Sequence, residues 1–184
     1  MGARSEEHTR SGESRAPRPS SVQRFFDIFV DRWTHLVLRE SFFGVRRFDE
    51  FQRNLGISRN VLTKRLNHLV THGLLERRLY QHRPDRYEYV LTERGVDMYP
   101  VFVAMMRWGD RWLDDGKGPP VRLYHSVCHR QSNPLMVCDK CGEEIHGREM
   151  TYTLGPGAEG GSTRARRRFD GFPRPDGDHQ ASTG

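Results

Sequence analysis

Residues 46–78 read RRFDEFQRNLGISRNVLTKRLNHLVTHGLLERR, and this stretch decides the fold. Its first part, 48–55, is a short helix closed by Gly56, a residue suited to the left-handed end of a helix. Ser58 then stands where an N-cap is needed, and a longer helix over 59–72 ends at Gly73. One face of this helix carries Val61, Leu62, Leu66, Leu69 and Val70, at the spacing of a buried stripe. The opposite face offers Arg59, Asn60, Thr63, Lys64 and Asn67.

Working outward, the period changes from helix to strand. Residues 74–80 and 87–91 predict two strands, with Gln81-His82-Arg83-Pro84-Asp85-Arg86 as the hairpin loop. Thr92 can cap a long helix over 93–115, with a kink or restart at Pro100. Upstream, 21–30 carries Val22, Phe25, Phe26, Phe29 and Val30 at helical spacing, and Asp31 can cap a further helix ending at Gly44. Two short helices joined by a tight turn and followed by a hairpin describe a winged helix-turn-helix, an α+β fold. In that arrangement the second helix lies in the major groove and the first crosses the backbone.

The charge agrees with this reading. The 184-residue chain carries 30 Lys+Arg against 24 Asp+Glu, a net charge of +6. From Gly44 to Arg94 there are 11 basic and 6 acidic residues, so nearly all the excess sits here. A basic footprint of this kind fits double-stranded DNA. Only three of the basic residues are Lys, and Arg also fills the tails, so part of the excess is compositional habit. Arg59 and Asn60 suit bidentate contacts to guanine and adenine, with Thr63, Lys64 and Asn67 beside them. Ser58 would meet a phosphate at the helix N-terminus. Arg83 and Arg86 would reach DNA from the wing. Any one of these could be a plain solvated charge; as a group they agree with the helix order.

RWTHLVLRE (32–40), RRFDEFQRNL (46–55), GISRNVLTKRLNHLVTHGLLERR (56–78) and RYEYVLTERG (86–95) follow in order. Together they resemble the HxlR-type winged-helix transcriptional regulators, over roughly half the chain. The resemblance implies a homodimer built by the first and last helices, acting on a palindromic operator; a repressor is the leading expectation. The Met/Trp/Phe stripe of the last helix (Met98, Phe102, Met105, Trp108, Trp112) independently favours a partner, although packing on its own domain would explain part of it. A small-molecule or metal effector would act by changing dimer geometry and so half-site spacing. Many relatives carry a cysteine ahead of the first helix; here the stretch is Pro19-Ser20-Ser21-Val22. Thiol sensing at that position is therefore not expected.

The three cysteines lie together in His125-x2-Cys128-x9-Cys138-x2-Cys141. Two Cys two residues apart, followed by Gly142, have the form of a zinc knuckle. Cys128 with His125 would complete a tetrahedral, structural Zn2+ site in a small zinc-ribbon-like module over 121–154. His129 is the alternative fourth ligand and His146 a remote one. A redox CxxC needs a βαβ context that the pattern lacks, and three inert thiols are the bland alternative.

The expected organisation is a disordered tail over 1–20, the DNA-binding domain over 21–116, the module over 121–154 and a disordered tail over 155–184. Hydrophobic residues form 35% of the chain, which excludes a large core. No apolar run reaches a membrane span, and the N-terminus lacks a secretory h-region. A cytoplasmic protein without membrane partners is expected. No nucleophile motif, phosphate loop or carboxylate pair suggests an enzyme, and Glu143 and Glu144 read as solvated charges. The competing function is a winged-helix protein-interaction module that does not read DNA sequence.

Overall fold

The computed structural model describes residues 20–158, 167–168 and 171. The expected N-terminal tail, apart from Ser20, and most of the C-terminal one lie outside the described residues. Four helices come first: α1 (Ser21–Ile28), α2 (Arg32–Phe42), α3 (Phe48–Leu55) and α4 (Arg59–Thr71). The hairpin β1 (Leu75–Gln81) and β2 (Arg86–Leu91) follows, then α5 (Glu93–Val96) and α6 (Tyr99–Trp112).

The caps are those the sequence offers. Asp31 accepts from the N–H groups of Trp33 (2.8 Å) and Thr34 (3.2 Å) to start α2. Ser58 accepts from Val61 to start α4, and Thr92 from Gly95 to start α5. Gly56 closes α3 in the left-handed region at φ 60°, a conformation that costs a β-carbon residue about 1–2 kcal/mol. α1 stops two residues early, because the chain turns at Phe29 to reach the Asp31 cap; Phe29 is buried. The long last helix is in fact two. Asp97 closes α5, Met98 is the N-cap of α6, and Pro100 lies in its first turn, where its missing N–H costs nothing and its fixed φ suits a helix start.

α4 is the centre of the core. Leu62, Leu66 and Leu69 are fully buried against Val37 and Leu38 of α2, Phe51 of α3, and Leu74 and Leu75 at the start of the hairpin. Polar ties fix its angle. Arg65 pairs with Asp31 at 2.9 Å, and the His68 ring meets the Ile28 carbonyl at 2.7 Å. Glu40, nearly buried, is held by Arg39 at 2.8 Å and by the Asn54 amide at 3.0 Å, joining α2 to the end of α3. A third short edge extends the hairpin: the Tyr89 N–H donates to the Arg46 carbonyl at 2.8 Å, and Arg47 bridges to Glu88.

Past α6 the chain changes character. β3 (Leu123–His125) pairs with β4 (Arg130–Ser132), and a single bridge joins Val137 to Glu144. A 3-10 turn over Gly147–Glu149 leads to β5 (Thr151–Tyr152). Here the tail departs from expectation: β6 (Arg167–Arg168) pairs antiparallel with β5, so backbone pairing, which needs no apolar side chains, brings that part of the tail back. No residue from 121 to 158 is buried. Among the described residues no helix is long and apolar enough to cross a membrane.

Candidate nucleic-acid interface

The turn that aims α4 is three residues long. Gly56 reverses the chain, Ile57 is buried as an anchor, and Ser58 caps the next helix. With Leu62, Leu66 and Leu69 turned inward, the 3.6-residue period leaves Arg59, Asn60, Thr63, Lys64 and Asn67 outward, and all five are exposed. Ser58 is exposed too, with its hydroxyl engaged in the cap. Its place at the start of α4 keeps free helix N–H groups near any phosphate laid there.

The outward side chains are not equally available. Among the described residues Asn60, Lys64 and Asn67 have no side-chain partner. Arg59 lies over the Phe48 ring at 4.9 Å and 3.7 Å from Asp49. Both charges of that pair are well exposed, so it is worth at most about 1 kcal/mol and yields readily to a nucleic acid. The Thr63 hydroxyl donates to the Arg59 carbonyl at 2.8 Å, which leaves only its acceptor lone pairs and methyl group for a base edge.

The hairpin supplies the wing. Arg83 and Arg86 are exposed at and beside its tip, Arg83 in a left-handed conformation at φ 58°. Sequence reading missed what stiffens it. Arg77 stacks on Tyr87 at 3.5 Å and Arg47 on Tyr80 at 4.9 Å, so cation–π contacts run along its face. The arginines and tyrosines gathered over 77–89 were the available signal. The structure thus puts the five α4 residues on one helix face and the two arginines on a separate hairpin.

The cysteine-bearing segment stands apart from this surface. Its cysteines are free thiols. Cys128 Sγ lies 3.5 Å from His125 Nδ1. Backbone N–H groups of Lys140 and Cys141, then the Cys141 thiol, hold the Cys138 thiol below its ordinary pKa. Among the described residues no three His, Cys, Asp or Glu side chains are gathered into one metal-binding group. The four sequence-predicted ligands therefore stand as two pairs.

Comparison with known proteins agrees with this geometry. The family model of the HxlR-like helix-turn-helix matches residues 28–117. An uncharacterized HTH-type transcriptional regulator of Mycobacterium tuberculosis is 47% identical over 137 residues, 74% of this chain and 87% of the relative. That match is longer than the family-matched segment, so the likeness reaches beyond the winged helix. Among solved structures, PA1607, described as a transcription factor, superposes with a TM-score of 0.65 at 28% identity, covering 74% of this chain and 95% of the other. PA1374 of Pseudomonas aeruginosa, described likewise, gives 0.55 at 37% identity, covering 76% and 94%. A winged-helix domain with a capped, outward-facing α4 and these relatives lead to one conclusion: the chain belongs to the HxlR-like helix-turn-helix family of transcriptional regulators.

Proposed function

We propose that the chain acts as a homodimeric repressor in the cytoplasm, reading a palindromic operator with α4 of each protomer. The observation that carries this is the free, exposed set Asn60, Lys64 and Asn67 on a helix whose other face buries Leu62, Leu66 and Leu69. Arg59 and Asn60 would read base edges, and Arg83 and Arg86 would hold phosphates beside them. The reading assigns the chain no catalytic role.

Dimerisation is supported by exposed apolar faces on both terminal helices. Val101, Met105, Trp108 and Trp112 recur along one side of α6, 40–63% exposed, at the spacing of a helix-pairing seam. Val22, Phe26 and Val30 project from the α1 end, and α1 has no buried residue of its own. A second copy would cover both, and two-fold symmetry would give the two α4 helices the repeat of a palindrome. A small effector would fit the open groove of about 650 Å³ between α6 and β3–β4, where Arg107, Trp108, Arg111 and Arg122 gather.

A gel shift on the DNA upstream of the chain's own gene, run in a salt series with nonspecific competitor, tests the reading. A saturable shift that weakens steeply with salt is expected. Equal binding to every duplex tried would favour a winged helix that does not read sequence.

A further inference from the structure

Two turns in residues 123–145 are built alike. In the first, His125 pairs with Arg130 across β3–β4, Cys128 sits three residues on, and His129 follows in the left-handed region at φ 56°. The His129 N–H donates back to the His125 carbonyl at 2.7 Å. In the second, the Cys138 N–H donates to the Glu143 carbonyl at 2.8 Å, and Cys141 sits three residues on. Gly142 follows at φ 78°, its N–H donating back to the Cys138 carbonyl at 2.9 Å. Position by position, His125 corresponds to Cys138, Cys128 to Cys141 and His129 to Gly142. Each turn presents two soft or borderline ligands with two residues between them on a tight reversal, the geometry of a zinc knuckle.

We propose that residues 123–145 are a zinc ribbon in which one Zn2+ is held by His125, Cys128, Cys138 and Cys141. The correspondence favours His125 over His129 as the fourth ligand. His129 occupies the glycine position of its turn, a left-handed site that His adopts more readily than most residues, so its role is to close the turn. His125 occupies the ligand position, with its ring 3.5 Å from the Cys128 sulfur.

The energetics point the same way. Residues 121–158 include no buried side chain, and Val127, Leu135, Met136 and Val137 stand 50–80% exposed. Two hairpins of this size do not hold together on backbone pairing alone. A tetrahedral ion joining the two knuckles supplies the cross-link that the missing core does not, because binding free energy becomes folding free energy. The structure holds the four ligands as two pairs, and the ion's task is to join them. One of the two hairpins is also tied to the DNA-binding domain, through Arg107 of α6 and Glu144 at 3.6 Å.

The test uses the full chain, purified without chelator. About one zinc per chain is expected by elemental analysis. Exchange for Co2+ should give the visible bands of a tetrahedral ion with thiolate charge transfer, and Zn2+ should protect all three thiols from a thiol reagent. His125→Ala and Cys128→Ser should each weaken Co2+ binding by about tenfold or more, while His129→Gly leaves it intact. The wild-type spectrum needs no variant to fold. Little metal with no tetrahedral spectrum, a Cys138–Cys141 disulfide in the protein as isolated from reducing cells, or unchanged binding in Cys128→Ser would each overturn the proposal.

Discussion

The winged-helix domain and the segment after α6 obey opposite rules. In the first, α4 buries three leucines completely, and Phe51, Val37 and Leu38 close around them. In the second, nothing from 121 to 158 is buried, and the strands are two or three residues long. The first is held by hydrophobic burial, worth roughly 1.5–3 kcal/mol per large side chain. The second is held by turn geometry and, on the proposal above, by a metal ion. One chain therefore uses two stabilising devices, and each can be attacked without touching the other.

The two regions should differ most when a side chain of the same type is cut in each. Leu62→Ala or Leu66→Ala should cost about 2–5 kcal/mol, because both are fully buried and would leave a cavity. Leu135→Ala, at a half-exposed position, should change stability by less than about 0.5 kcal/mol. Thermal or urea melts of the three variants decide it, and equal losses would mean that the second region has a core after all.

A smaller effect is expected at Gly95. A methyl group there would run into the Leu74 carbonyl and crowd the Leu91 side chain, and the backbone is not free to retreat. Gly95→Ala should lose about 1–3 kcal/mol in a urea melt. Gly109→Ala on α6, where a methyl group meets nothing within 4 Å, serves as the control and should be neutral or slightly stabilising.

Smaller still is the Asp31 cap. Asp31→Ala removes the N-cap of α2 and leaves the half-buried Arg65 without its carboxylate. A loss of about 1–2 kcal/mol is expected by the same melt. The smallest stability effect belongs to the surface proposed to meet DNA. Asn60→Ala and Lys64→Ala should melt within about 0.5 kcal/mol of the parent. In DNA binding they should diverge: Asn60→Ala should relax preference at a base position by about 1–3 kcal/mol, and Lys64→Ala should flatten the salt dependence.

What the sequence made legible was local. Gly56, Ser58, Thr92 and Asp31 act within a few residues of themselves, and the structure uses each where the sequence placed it. The outward face of α4 followed from period alone. What was hidden was long-range. The Arg65–Asp31 pair, the His68–Ile28 contact and the Arg46 edge that extends the wing join residues far apart in the chain. No spacing rule announces them. The split of the last helix was half legible: Pro100 marked the place, but that the chain would restart there was decided by Met98 and the buried Gly95 packing on the hairpin. In the cysteine segment the spacing offered candidate ligands only, whereas the equivalence of His129 and Gly142 needed backbone angles.

The most direct test of the account is a selection of duplexes from a random pool by the wild-type protein, with the Asn60→Ala variant run beside it. One enriched inverted repeat is expected, with half-sites about one helical turn apart and one position relaxed by the variant. A pool that stays random, or a motif the variant leaves untouched at every position, would contradict the claim that α4 reads DNA.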